Sequence, residues 1–202
     1  RIVQQVFFYG DEDGKAFFPR FVNSFAAKDW ARTDKKEWVE LKSKKGEVYV
    51  FANKPLNYDA NLDDSAQVHM AKYMESLNMA PTMAVHRGHS YWLPGTIKRL
   101  PETARIILLG SCGGYNDVAK VFHANPDAHI ISTRNIGSKY VNDPILNRVT
   151  NDVLANKDVN WNELWKTLDT SFTNKTTKDL FSSYIPPNKY IGIMFIREVF
   201  NF

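Results

Sequence analysis

The feature that most restricts what this chain can fold into is a run at residues 105–109, Arg105-Ile106-Ile107-Leu108-Leu109, that stops abruptly at Gly110-Ser111-Cys112-Gly113-Gly114. Four apolar residues without alternation read as a strand covered on both faces, which is the situation of a parallel strand between two helical layers. Shorter strand patterns stand at residues 4–9, 47–51, 82–85, 128–132 and 191–196, and residues 38–41 form a hairpin partner to 47–51 across Lys44-Lys45-Gly46. Helical spacing fills the intervals. Phe17, Phe21 and Phe25 mark one helix, and Met70, Tyr73, Met74 and Leu77 mark another that opens at Asp64 with Gln67 three places on, a capping-box spacing. Further helices are expected from Pro94 to Leu100, over 117–122, from Asp143 with Pro144 in the first position, and from Asn160 with Glu163 three places on. Alternating strands and helices imply a single α/β domain over residues 1–202: a three-layer sandwich with a mostly parallel six-stranded sheet and helices on both faces. The start at Arg1 suggests a domain cut from a longer chain. Residues 56–62 and 173–178 read as long connections.

The charges exclude some functions. Lys and Arg number 26 against 22 Asp and Glu, and they are dispersed, so no basic tract marks a nucleic-acid partner. The densest basic run, Lys42-Ser43-Lys44-Lys45-Gly46, falls at the expected hairpin turn. No apolar stretch is long enough for a membrane span. With one cysteine, neither an internal disulfide nor a thiolate zinc cluster is available, and Cys112 has to be explained alone.

In parallel α/β sheets, reacting groups collect beyond the carboxyl ends of the strands. Two loops there are rich in chemistry: His86-Arg87-Gly88-His89-Ser90-Tyr91-Trp92 after the third strand, and Gly110 to Tyr115 after the fourth. A cysteine thiol is mostly protonated near neutral pH, and an imidazolium or a helix N-terminus favours the thiolate; a helix is expected to begin near Asn116. Glycines flanking both groups leave backbone N–H groups of Gly88 and Gly113 to meet a developing oxyanion. His69, His123 and His129 fall in expected helix or strand positions and read as structural.

At these residues the chain resembles the caspase-like cysteine peptidases, the clan of caspases, metacaspases, legumain, clostripain and gingipain. In that clan one strand ends in a catalytic His next to Gly, and the next ends in a short Ala-Cys or Ser-Cys segment bearing the nucleophile. Gly88-His89 and Ser111-Cys112 match those places in that order. The resemblance implies a His89/Cys112 dyad that cleaves a peptide or protein substrate through a thioester, with no metal or organic cofactor. Ser90 stands where the family usually has Gly, which leaves His86 beside His89 as a candidate base, and Gly110 stands where basic-specific members carry Asp. The loop after the fifth strand shapes the specificity pocket in this clan, so the resemblance implicates Thr133, Arg134, Asn135 and Gly137; Arg134 would suit an acidic side chain.

Other readings use the same residues. Gly110-Ser111-Cys112-Gly113-Gly114 fits the Gly-x-Cys-x-Gly elbow of dienelactone-hydrolase-like enzymes, although His123 and His129 follow it closely, and the same run is faintly similar to the glycine turn of nucleoside phosphorylases. A catalytically silent caspase-like domain used for binding or as a scaffold, with Tyr91, Trp92 and Tyr115 around a peptide groove, belongs to a different class.

Overall fold

The computed structural model describes residues 1–57, 59–155, 158–190, 195 and 199, and the chain divides into two compact units, Arg1–Ala104 and Arg105–Phe202. The first unit runs β1 (Ile2–Phe8), α1 (Glu12–Asn23), β2 (Trp30–Asp34), β3 (Trp38–Ser43), β4 (Val48–Asn53), α2 (Leu62–Ser76), β5 (Met83–Arg87) and α3 (Leu93–Lys98). Its strands lie in the order β2-β3-β4-β1-β5. The central strand β1 is parallel to both neighbours, with Ile2 opposite Val48 and Gln4 opposite Met83. The hairpin expected around Lys44-Lys45-Gly46 forms, with β3 antiparallel to β4.

Side chains alternate across a strand, so β1 serves two cores. Phe8 points to α1, where it meets Phe18 edge-on at 5.2 Å and Phe21 at 5.5 Å. Val3, of opposite parity, clusters with Phe51 and with Met70 and Met74 of α2. The two helices therefore cover opposite faces of this unit's sheet. Beyond the last rung of β1, Asn53 extends the ladder with its amide: Oδ1 accepts from the Phe8 N–H at 2.9 Å and Nδ2 donates to the Phe8 carbonyl at 2.8 Å.

The second unit runs β6 (Ile106–Leu109), α4 (Val118–Ala124), β7 (His129–Thr133), α5 (Lys139–Leu154), α6 (Trp161–Ser171), α7 (Lys175–Phe181) and β8 (Tyr184–Ile185). β6 and β7 are parallel, and the two-residue β8 pairs antiparallel with β7. Ile107, Leu108, Leu109, Ile130 and Ile131 are buried, as the unalternated apolar runs require. Asn160 caps α6 as its spacing foretells, its Oδ1 accepting from the N–H groups of Asn162 and Glu163.

Several expectations are corrected. The strands are mixed rather than mostly parallel, and eight rather than six occur among the described residues: the hairpin partner β3 adds to the six, the edge strand β2 is mostly exposed and β8 has only two residues, so neither of these last two carries a legible apolar pattern. The sixth expected strand, at residues 191–196, lies outside the described residues apart from Phe195, whose backbone is helical. The helix assigned to Asp143 begins a turn earlier, with Ser138 as its cap, and Pro144 stands inside it. Proline has no N–H to give the carbonyl one turn back, so its place inside the helix gives up one rung of the ladder. Asp64 and Gln67 form no capping box: Asp64 pairs with Arg99 at 2.7 Å, while the Gln67 amide donates to the Phe8 carbonyl at 3.2 Å. The stretch 173–178, read as a long connection, contains the start of α7, capped by Asn174.

Candidate functional site

In the first unit the site is assembled at the carboxyl ends of β1 and β5. The turn after β1 is fixed from several sides. Asp11 caps α1, its Oδ1 accepting from the Gly14 N–H at 2.7 Å, while its Oδ2 accepts from Trp92 Nε1 at 3.0 Å. Asp63 accepts from the Gly10 N–H at 3.0 Å, and the Tyr9 ring stacks flat on Trp92 at 5.0 Å. These contacts hold the first turn of α1 beside the loop that follows β5. There Asp13 Oδ2 stands 3.2 Å from His89 Nε2.

The two histidines of that loop have different surroundings. His89 is about two-fifths exposed, caps a 3₁₀ turn over Ser90–Trp92, and stacks on the ring of Tyr91 at 5.3 Å. His86 is buried on β5, its Nε2 lying 3.1 Å from the Gly88 carbonyl and 3.3 Å from the His89 carbonyl, and its Nδ1 2.7 Å from Thr96 Oγ1. Carbonyls only accept, so Nε2 carries the hydrogen. Burial pushes the His86 pKa down to about 4, with the two carbonyl bonds opposing that shift only in part. A neutral ring with both nitrogens engaged is poorly placed to collect a proton from a substrate. Of the two, His89 has the accessible imidazole and the carboxylate partner.

In the second unit, Cys112 is exposed on the turn that closes β6. Gly113 takes a positive φ of 64°, which bends the chain back after the thiol, and its N–H donates to the Asn135 carbonyl at 2.7 Å. An oxyanion would have to compete with that bond for the Gly113 amide. A 3₁₀ turn over Gly114–Asp117 follows, and α4 starts only at Val118, two residues later than the helix expected near Asn116.

The loop after β7 lies directly against this turn. Gly137 has no room for a side chain, because a Cβ there would stand 2.3 Å from the Gly110 carbonyl oxygen and 2.7 Å from the Ser111 carbonyl carbon. Asn142 of α5 donates to the Gly110 carbonyl at 2.9 Å and accepts from the Tyr184 hydroxyl at 3.0 Å. Thr133 is buried and accepts from the Asn135 N–H at 3.2 Å, while exposed Arg134 lays its guanidinium over the Tyr115 ring at 5.3 Å. Beside it a cavity of about 260 Å³ is lined by Asn135, Ile136, Thr176, Asp179, Leu180 and Ser183. The structure thus groups Thr133, Arg134, Asn135 and Gly137 around the Cys112 turn, and Gly88 and His89 around Asp13.

Removing the Asn142 brace tests how firmly the turn is held. Asn142→Leu leaves the buried Gly110 carbonyl without its donor, and the expected cost is about 1–3 kcal/mol of folding stability in urea denaturation. Asp13, Asn142 and Tyr184 were not marked by sequence. An acidic residue in the first turn after a capped strand-to-helix junction is the only local hint for Asp13. Among the described residues no group of three or more His, Cys, Asp or Glu could hold a metal ion, and no helix is long and apolar enough to cross a membrane. Compared with known protein families, with curated proteins and with solved structures, the chain gives no match.

Proposed function

We propose that the protein is a cysteine endopeptidase of caspase-like architecture, a three-layer α/β sandwich in which Cys112 and His89 act as a dyad on a peptide substrate. The observation that carries this reading is an exposed thiol on a braced glycine turn at the carboxyl end of a buried parallel strand. Cys112 Sγ, as the thiolate, attacks the peptide carbonyl carbon; the C–N bond breaks, and the leaving amine takes its proton from His89. Water then attacks the thioester, returning the carboxylic acid product and the free thiol.

Asp13 acts as a positioning residue, because a carboxylate 3.2 Å from Nε2 orients the imidazole. Gly88 and Gly113 amides are the candidates for the oxyanion, the second by exchanging its bond to Asn135. The residues 133–137 and the cavity beside them would receive the substrate side chain.

The test is to trap the intermediate. A peptide ester is mixed with the protein and quenched in acid within seconds, and intact mass with fragmentation then locates the adduct. The expected result is one acyl group on Cys112, lost on brief treatment with hydroxylamine at neutral pH. A chain that stays unmodified while the ester is consumed, or that carries the acyl group elsewhere, overturns the thioester route.

A further inference from the structure

The buried side chains behind His89 form an unbroken chain of hydrogen bonds. Tyr9 and Thr96 hydroxyls lie 2.6 Å apart, Thr96 Oγ1 is 2.7 Å from His86 Nδ1, and His86 Nε2 reaches the carbonyls of Gly88 and His89. The hydrogens along it have one consistent arrangement. Because carbonyls only accept, Nε2 is protonated, and a neutral ring then leaves Nδ1 as an acceptor. Thr96 must donate to Nδ1, so its oxygen is free to accept from Tyr9.

We infer that His86 is a positioning residue of the site: in the Nε2–H form, completed at Nδ1 by the Thr96 hydroxyl with Tyr9 behind it, it clamps the Gly88 and His89 carbonyls and sets where the His89 imidazole stands. This rests on the peptidase reading. Tyr9 stays protonated, since burial pushes its pKa up to about 12. Its ring is independently fixed by the stack on Trp92, and Trp92 also holds Asp11 at the cap of the helix that presents Asp13. The same small network therefore aligns the backbone of His89 and the carboxylate that faces its ring. Side chains that orient a functional imidazole through the next layer of contacts commonly matter by about 10- to 100-fold.

Thr96→Val removes the hydroxyl at nearly constant shape, and Thr96→Ser keeps it. Long-range nitrogen–proton spectra of histidine-labelled protein at pH 7 are expected to show His86 as the Nε2–H tautomer in the wild type and in Thr96→Ser. In Thr96→Val the Nδ1 resonance should move toward that of an acceptor nitrogen without a donor and the His89 ring signals should shift, while kcat for Cys112-dependent hydrolysis falls about 10- to 100-fold with KM nearly unchanged. Thr96→Ser should restore kcat to within about threefold of wild type. If Thr96→Val does not fold, Tyr9→Phe, which keeps the ring stack, is judged by the same measurements.

An Nδ1–H or doubly protonated His86 in the wild type overturns the inference. So do His89 signals and kcat that ignore the loss of the hydroxyl. Should the wild type show no Cys112-dependent hydrolysis, the peptidase reading fails by itself, and the His86 tautomer and the His89 shifts still decide whether the clamp exists.

Discussion

Cys112→Ala is expected to reduce peptide-bond cleavage by about 10⁴-fold or more while changing folding stability by no more than about 0.5 kcal/mol. The two halves of that expectation have separate causes. Without sulfur no thioester forms, and the remaining groups can only bind and polarise the substrate, which leaves a small residual rate over water. The thiol is exposed, so its removal opens no cavity and strands no buried polar group. The turn itself is held by the Gly113 N–H to Asn135, by the Asn142 amide to Gly110 and by the close approach of Gly137, and none of these uses the thiol.

A diverse peptide mixture, digested by wild type and variant and read by mass spectrometry, supplies the measurement. Equal cleavage by both sinks the mechanism. Cys112-dependent consumption of simple esters without peptide cleavage would instead favour a Gly-x-Cys-x-Gly hydrolase. A folded wild type that binds peptides and turns none over would favour a silent binding domain.

How much could be read from residues alone depends on how local each signal is. The buried strand β6 is legible because Ile106, Ile107, Leu108 and Leu109 need cover on two faces, and the cap of α6 because Asn160 bonds to N–H groups two and three residues on. The strand β2 is not. It lies at the edge, and four of its five residues, Ala31, Arg32, Thr33 and Asp34, are exposed, so no apolar face announces it. Pro144 misleads in the opposite direction, since a proline tolerated inside α5 looks the same in sequence as one that opens a helix.

The site follows the same rule. The reactive loops are legible by composition, and the closeness of residues 133–137 to the Cys112 turn follows from β6 and β7 being parallel neighbours. Asp13 and His89 are partners far apart in sequence, brought together through Asp11, Asp63 and Trp92, and no local pattern records that. His86 and His89 sit in one short motif with equal claim to reactivity. Burial alone separates them: one is held neutral among hydroxyls and carbonyls, and the other faces water and a carboxylate.

That burial has a thermodynamic signature. Below its unfolded value of about 6.5, His86 takes up a proton in the unfolded chain, whereas in the fold it stays neutral down to about 4. Between those two values the unfolded state binds one more proton, so stability rises with pH and is lost as acid is added, at about 1.4 kcal/mol per pH unit. Across the window His86 accounts for about 3 kcal/mol, a large share of the 5–15 kcal/mol that holds a typical domain together. Other groups titrate as well. Asp29 and Asp34 are held below the usual carboxylate range by Lys45 and Arg32, and their contribution fades only at still lower pH.

The comparison that isolates His86 is urea denaturation from pH 7 to pH 4 in the wild type and in His86→Gln, whose amide keeps a donor but does not titrate. The difference in stability between the two is expected to shrink by about 3 kcal/mol as pH falls, since every other titrating group is common to both. Parallel pH profiles would mean that His86 is solvated and free to charge. In the charged ring Nε2 would still donate to the Gly88 and His89 carbonyls, but a proton on Nδ1 would force the Thr96 hydroxyl to accept there and turn its own hydrogen toward Tyr9, reversing the chain.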